Sequence, residues 1–530
     1  MVVASRVVAA ATVVLGWSIC TAAAHAQGAA PPRPTHPAGE PAEGPREPDD
    51  DEGSAAATRM LTAPADPRAR LAWLRDRVTA AFAAQPRLAA ARTAVSVIDL
   101  ATGTELIARD ADRAMSLASN AKLLTSTAAL ALLGGGFRWR TAVYGAEPDD
   151  KGVVAGELYV RGRGDPMLGA ADLDALAADV AARGVRSIDR LVIDASYFDD
   201  AVDPPHFADQ PGETAYFRAP VAGFGVARSA VTVTVIAEPG GAARVTVDPL
   251  AGDYVKLINK GTTSVTRGRT RLVVDVKPKP DHVEITVSGQ IRWGEGSWDI
   301  RKRVSDPVRF AGEVFRRALI DHGVKVKARA IGRAVVPVTA KLLASHDSAP
   351  LAEVLRQMNK LSDNYLAESV LKTLGAETRT VPGSASWADG RAAVHGYLAT
   401  IGMPESGYRA ENGSGLFDAT EVSARQLTTV LRAAYSDFRV GPDLIASLPV
   451  GGVDGTLARR WRGRPASGRV RAKTGTLDKV ATLAGYFAID SHHPLGFAIL
   501  VNDIPPGQRA SARTAADDII DALAAYLGSP

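Results

Sequence analysis

Cysteine is all but missing from the 530 residues: the one present is Cys20, inside the first 26. A chain that has lost that leader has no thiol catalysis, no disulfide framework and no cysteine metal ligand open to it. Histidine is sparse too. There are nine, and none shows the i, i+4 spacing of a helical metal site, so the pattern gives metal catalysis no support and implies no cofactor. Net charge is only +4 over this length, too little for a phosphate-tracking surface, and nucleic acid is not an expected partner. Long apolar runs are lacking as well, since the uncharged stretch after Arg6 ends near Ile19, short of the roughly 20 residues a membrane span needs. What remains is 46% hydrophobic and 23% charged, the composition of a globular protein of two to three domains.

The first 66 residues read as targeting and tether. Arg6, the apolar run and the small residues ending Ala24-His25-Ala26 have the three parts of a secretory signal over residues 1–26, which predicts cleavage after Ala26 and delivery to the periplasm. An uncleaved anchor is the alternative, and Ile19 before Cys20 speaks against lipidation. Residues 27–66 are rich in Pro, Gly, Ala and acids, with too few large apolar groups to fold. Residues 27–58 carry a net −5, which leaves +8 on residues 59–530, a mild fit to an anionic wall or peptide.

Beyond the tether the pattern is α+β. Asp66-Pro67 predicts a helix cap followed by Leu71, Leu74, Val78 and Phe82 at helical spacing, and residues 93–110 alternate around Ala101-Thr102-Gly103 as a hairpin. An Ala/Leu-rich helix follows, apolar nearly all round and closed by Gly134-Gly135-Gly136. Residues 138–337 change texture to short alternating strands with occasional helices, a mostly β insert of one or two subdomains. Helices are predicted over 350–374 and 421–435, strands over 469–476, 482–490 and 495–502, and a last helix over 510–527. The two flanks, 67–137 and 338–530, then form one discontinuous domain.

Three short patterns stand in order: Ser119-Asn120-Ala121-Lys122, Ser362-Asp363-Asn364 and Lys473-Thr474-Gly475. Each alone is weak, but the three in order on suitable elements are a rare coincidence. Ser119 and Lys122, three apart at the start of a buried helix, share a face, so the lysine can reach the hydroxyl. Burial and a second cation, Lys473, should lower the Lys122 pKa toward that of a general base. Ser362 would relay a proton to a leaving amine and Asn364 would bond a substrate amide, although Ser, Asp and Asn also favour helix N-caps. Lys473, Thr474 and Thr476 would bind a carboxylate, Gly475 would let a substrate backbone lie alongside, and the N–H groups of Ser119 and Thr476 would form an oxyanion hole.

The motif set resembles that of class A β-lactamases and penicillin-binding proteins. Ser119 and Ser362 are 243 residues apart and Ser362 and Lys473 are 111 apart, and the long first interval resembles the class C low-molecular-mass penicillin-binding proteins, the D-alanyl-D-alanine carboxypeptidase/endopeptidase family. The stretches 162–168, 193–199, 348–368, 411–416 and 448–457 look like that family as well. The resemblance implies a penicillin-binding, serine β-lactamase-like transpeptidase fold with an antiparallel sheet flanked by helices. It implies a Ser119 acyl-enzyme, peptidoglycan stem peptides and β-lactams as partners, and no metal. Phe417-Asp418 stands where the family usually has Ser-Arg, and an asparagine expected near Ala227 is absent, departures that bear on substrate range. Two rivals share parts of the pattern. A serine β-lactamase would need a water-activating carboxylate, for which Glu368 is the nearest candidate, and a silent wall-binding scaffold could rest on the Phe417-Asp418 departure.

Overall fold

The computed structural model describes residues 61–207, 214–489 and 493–528. The expected signal and nearly all of the expected linker lie outside them. The last linker residues, 61–66, are not free: Ala63 is buried, Leu61 packs on apolar side chains, and Arg70 Nε bonds Pro64 O at 2.9 Å. Asp66 then caps the helix Pro67–Ala83, accepting from Ala69 N at 2.8 Å, with Pro67 at the first helical position.

A five-stranded antiparallel sheet is the frame of the site. Its order is Val470–Leu477, Val480–Phe487, Leu495–Asn502, Arg92–Asp99, Glu105–Arg109. Period-two alternation sorts its side chains: Val95, Val97, Leu483, Ile499 and Val501 meet the helices Pro67–Ala83 and Arg509–Gly528. Ala94, Ala484, Ala498 and Leu500 face the other way, onto the helices Ala121–Leu133 and Ala424–Ser436. Sheet strands covered on both faces read as near-continuous apolar runs, as 480–487 and 495–502 do. Each fully buried Val, Leu or Ile there contributes about 1.5–3 kcal/mol.

One predicted helix starts differently. Residues 421–423, the start of the predicted helix 421–435, belong instead to the strand Thr420–Ser423, which pairs with Ala114–Ser116, and the helix begins at Ala424. Ser423 and Gln426 form a reciprocal capping box that stops the helix from reaching further back.

Residues 140–347 build their own sheets. Arg140–Gly145, Val153–Arg161 and Ser187–Asp194 form the centre of a six-stranded sheet against which Ala170–Ala182 and Pro307–Asp321 pack. The returning strand Lys341–Asp347 pairs with Arg140–Gly145, so that sheet runs past position 338 before the chain re-enters the helices. Two smaller sheets follow, one of Ala230–Ala237, Ala243–Asp248 and Ser297–Arg303, the other of Val255–Asn259, Thr263–Val265, Arg271–Pro278 and Val283–Arg292.

Candidate active site

The first motif opens on a tight turn. Ala118–Asn120 is a single 3₁₀ turn leading into the helix Ala121–Leu133, and Ala118 takes φ +46°, a conformation that L-residues avoid and that surrounding structure must impose. Leu117 and Ala118 are pinned from two sides. Thr482 Oγ1 donates to Leu117 O at 2.8 Å, and a Cβ on Gly475 would lie 2.6 Å from that carbonyl oxygen. Gly475 is therefore glycine because the serine-bearing turn docks on its strand, a reason the spacing of the motif did not supply. Gly415 plays the same part from the other side, where a Cβ would fall 1.9 Å from Ala118 O.

From Met115 through Leu130 every residue is buried except Ser119, which is half-buried. Ser119 is partly open to solvent while the lysine behind it is not. Lys122 is fully buried, and its Nζ lies 2.9 Å from Ser119 Oγ, 2.7 Å from Asn364 Oδ1 and 3.0 Å from Ser414 O. Burial brings the Lys122 amine down from 10.5 to about 7, against the charges of Glu368 and Asp363, which raise it. The neutral amine has two hydrogens and one lone pair. Asn364 Oδ1 and Ser414 O are acceptors only and take the two N–H groups, which turns the lone pair toward the Ser119 hydroxyl. That arrangement can remove the hydroxyl proton.

The second motif divides its work by residue. Ser362 ends the helix Leu351–Leu361 in a left-handed conformation, φ +60°. Asp363 is the N-cap of Asn364–Thr378, accepting from Leu366 N at 3.0 Å. The cap is Asp363, and the turn leaves Ser362 and Asn364 half-exposed beside the first motif. Asn364 spends its amide on neighbours, taking Lys122 on Oδ1 and giving Nδ2 to Phe217 O at 3.2 Å.

Lys473 is buried on Val470–Leu477 and donates to Ser362 Oγ at 2.9 Å and Thr474 O at 2.8 Å. Because Ser362 Oγ accepts from Lys473, its own proton points elsewhere. Thr474 Oγ1 donates to Thr456 Oγ1 at 2.9 Å, and Thr476, half-exposed, sits opposite Ala481 in the ladder. All the motif residues thus line one place, with hydroxyls outward and amines behind.

Several partners escaped the sequence reading. Ser414 gives Lys122 its carbonyl, and Glu368 holds that loop, accepting from Gly413 N at 3.0 Å on one oxygen and Ser414 N at 2.9 Å on the other. Glu368 is buried and its pKa is pushed up by burial, with the loop's hydrogen bonds and Lys122 opposing. Both of its oxygens are engaged by backbone, which leaves it poorly placed to activate a water. Thr456 lies within Gly451-Gly452-Val453-Asp454-Gly455-Thr456, part of the family-like stretch 448–457, to which the sequence reading gave no role. Arg228 reaches from residues 140–347 to bond Asp363 at 2.8 Å and Gln357 at 2.9 Å.

The two sequence departures have structural accounts. Ala227, Arg228 and Ser229 all have positive φ, between 51° and 57°, the backbone region asparagine tolerates best among bulkier residues; here neighbours such as Asp363 fix it instead. Phe417 and Asp418 are left-handed too. Phe417 meets Phe207 edge-on at 5.3 Å and lies under Arg218 at 5.1 Å, and Asp418 Oδ1 accepts from Ser116 Oγ at 2.6 Å. Neither departure disturbs the contacts of Lys122.

Known proteins match most of the chain. The model of the D-Ala-D-Ala carboxypeptidase 3 (S13) family matches residues 75–526. A D-alanyl-D-alanine carboxypeptidase of Actinomadura sp. (strain R39) is 36% identical over 481 residues, covering 87% of this chain and 86% of that protein. The crystal structure of penicillin binding protein 4 from Haemophilus influenzae matches with a TM-score of 0.70 at 22% identity, covering 84% of this chain and 98% of that one. Its complex with a novel β-lactam matches with a TM-score of 0.65 at 23% identity, covering 83% and 97%. The fold is the one the motifs led us to expect. With a match of this extent, the chain belongs to the D-Ala-D-Ala carboxypeptidase 3 (S13) family and is a serine-type carboxypeptidase.

Proposed function

We propose that the protein is exported to the periplasm and hydrolyses D-Ala-D-Ala termini, D-alanyl cross-links, or both, in peptidoglycan through an acyl-enzyme on Ser119, and that β-lactams acylate the same oxygen. One observation carries the reading: the half-exposed Ser119 Oγ lies 2.9 Å from a buried amine whose pKa is about 7. Neutral Lys122 takes the Ser119 proton as Oγ attacks the carbonyl carbon, and the backbone N–H groups of Ser119 and Thr476 hold the oxyanion. As the tetrahedral adduct collapses, the C–N bond breaks and the leaving D-alanine amine takes a proton from Ser362, which Lys122 resupplies. Water then cleaves the ester and restores Ser119. Asn364 orients Lys122, and Lys473 with Thr474 and Thr476 receives the terminal carboxylate. The active domain would comprise 67–137 with 338–530. The backbone bonds on both Glu368 oxygens support this reading over a β-lactamase, since they tie that carboxylate to the loop at Gly413 and Ser414.

A fluorescent penicillin should label the purified protein on the peptide containing Ser119, and a pentapeptide should lose its terminal D-alanine. Ser119→Ala should lose both activities at nearly unchanged melting temperature, because no side chain caps this helix start. An unlabelled wild type would favour the scaffold, and labelling of Ser119→Ala would sink the nucleophile.

A further inference from the structure

The smallest charge surplus in the composition hides an uneven distribution. Residues 254–274 contain five Lys or Arg and no Asp or Glu, so this short stretch alone exceeds the +4 of the whole chain. The sheet topology gathers these residues at one end. Thr263–Val265 and Arg271–Pro278 flank the end of Val283–Arg292, with Thr263 and Arg271 both opposite Gln290. The connection between them wraps that end: Gln290 Nε2 donates to Arg269 O at 3.0 Å, Arg292 N donates to Thr270 Oγ1 at 2.9 Å, and Trp293 N donates to Val265 O at 2.6 Å. Lys260 joins from the neighbouring strand, its amide bonded to Val287 O at 2.8 Å.

Lys260, Arg267, Arg269 and Arg271 are exposed and have no carboxylate partner among the described residues. The other cations of this sheet do. Lys277 lies 3.7 Å from Asp275, Lys279 3.5 Å from Glu284 and Arg292 3.2 Å from Glu295, while Lys256 feels the charge of Asp281. Glu295, in the turn after Trp293, is occupied by Thr270, Arg292 and Trp298. Beside the four cations stands Trp293, 48% exposed between Arg292 and Gly294. An unpaired cluster of one sign draws a polyanion, and a bare indole face suits a sugar ring, apolar on one face and hydrogen-bonding at its edge.

We propose that this end of the sheet, formed by Lys260, Arg267, Arg269, Arg271 and Trp293, is a binding site for an anionic polysaccharide of the cell wall, separate from the peptidase cleft. Its strands pair with none of the strands that carry the cleft. Four cations would meet carboxylates or phosphodiesters spaced along the polymer, and Trp293 would stack on a sugar. Such a site would hold the enzyme on its insoluble substrate while the cleft releases each product.

The test is cosedimentation of the full chain with an insoluble wall preparation at increasing salt, beside the same wall stripped of anionic polymer by acid extraction. Polygalacturonate is the soluble probe, dextran the neutral control and phosphatidylglycerol vesicles the membrane arm. The wild type should sediment with intact wall but not stripped wall, and both salt and polygalacturonate should release it where dextran does not. Changing Lys260, Arg267, Arg269 and Arg271 together to Gln should weaken binding about tenfold or more and flatten the salt dependence, as loss of counterion-releasing contacts does. Trp293→Ala should weaken it about threefold without changing the salt slope. Hydrolysis of a soluble pentapeptide should be unchanged in both variants, which shows an intact fold and keeps this outcome independent of the peptidase reading. If the charge variant does not fold, the wild-type salt and competition results and Trp293→Ala decide. Undiminished binding by the charge variant, equal binding to stripped wall, or tighter binding to vesicles than to polygalacturonate would overturn the proposal.

Discussion

Lys122 and Lys372 are both shut off from solvent, and burial lowers the pKa of both amines. Their partners separate them. Lys372 Nζ touches a carboxylate, Asp199 Oδ1 at 2.6 Å, together with Ala201 O at 2.7 Å, and lies over the rings of Phe198 and Trp387 at 5.3 and 4.8 Å. Asp199 and the aromatic faces favour the cation, so this lysine joins residues 140–347 to the helix Asn364–Thr378. Lys122 touches only neutral acceptors, with its carboxylates further off, and its pKa falls to about 7. Burial by itself does not make a base. What decides is whether a carboxylate is within bonding distance of the amine.

The hardest break in that comparison is Lys122→Arg, which keeps the charge and removes the titration. Guanidinium does not shed its proton near neutral pH, so acylation should fall by about 10²- to 10⁴-fold, the usual worth of a general base. A variant that kept most of its acylation rate would make Lys122 an electrostatic partner. In the wild type, kcat/KM should rise with pH through a midpoint near 7, since the amine must lose its proton to act.

Lys473→Gln tests the third buried lysine, whose task is proposed to be the substrate carboxylate. Loss of a charge-assisted hydrogen bond in a desolvated cleft, worth roughly 1.5–3 kcal/mol, should slow a pentapeptide about tenfold to a hundredfold and a cross-linked dimer less. Equal losses on both substrates would refute the carboxylate role.

Lys372→Met approaches the comparison from the structural side. It should cost about 1–3 kcal/mol of stability, read by denaturant unfolding, because Asp199 and two carbonyls lose a buried donor. The pH profile of acylation should not move. A moved profile would mean that Lys372 acts on the cleft after all.

The smallest effect expected is that of Glu368→Gln. The Glu368 charge raises the Lys122 pKa, so neutralising it should lower that pKa and shift the rising limb to lower pH by a fraction of a unit. The amide also gives up one acceptor for the loop at Gly413 and Ser414, so the rate on the plateau should drop modestly. A shift to higher pH would show that loop displacement, not charge, dominates.

What could be read early was local. A serine and lysine three apart share a helical face whatever surrounds them, and the short apolar run of 495–502 marks its strand. The short polar residues of Ser362-Asp363-Asn364 marked a helix junction, and its cap proved to be Asp363. The capping box at Ser423 and Gln426 is equally local, and it places the helix start after residues 421–423, where the apolar pattern alone does not.

The sequence by itself determined which side chains were candidates for chemistry and on which elements they ride, because helix and strand periodicity act over a few residues. Tertiary structure alone decided what those groups become. The acceptors that orient the Lys122 lone pair, Asn364 and Ser414, lie 242 and 292 residues away along the chain. Neither spacing nor composition registers a carbonyl oxygen, and none can say that Lys122 lacks a bonded carboxylate where Lys372 has one. Close packing settles that difference, since a pKa depends on what lies within a few ångströms in space and not on neighbours in sequence.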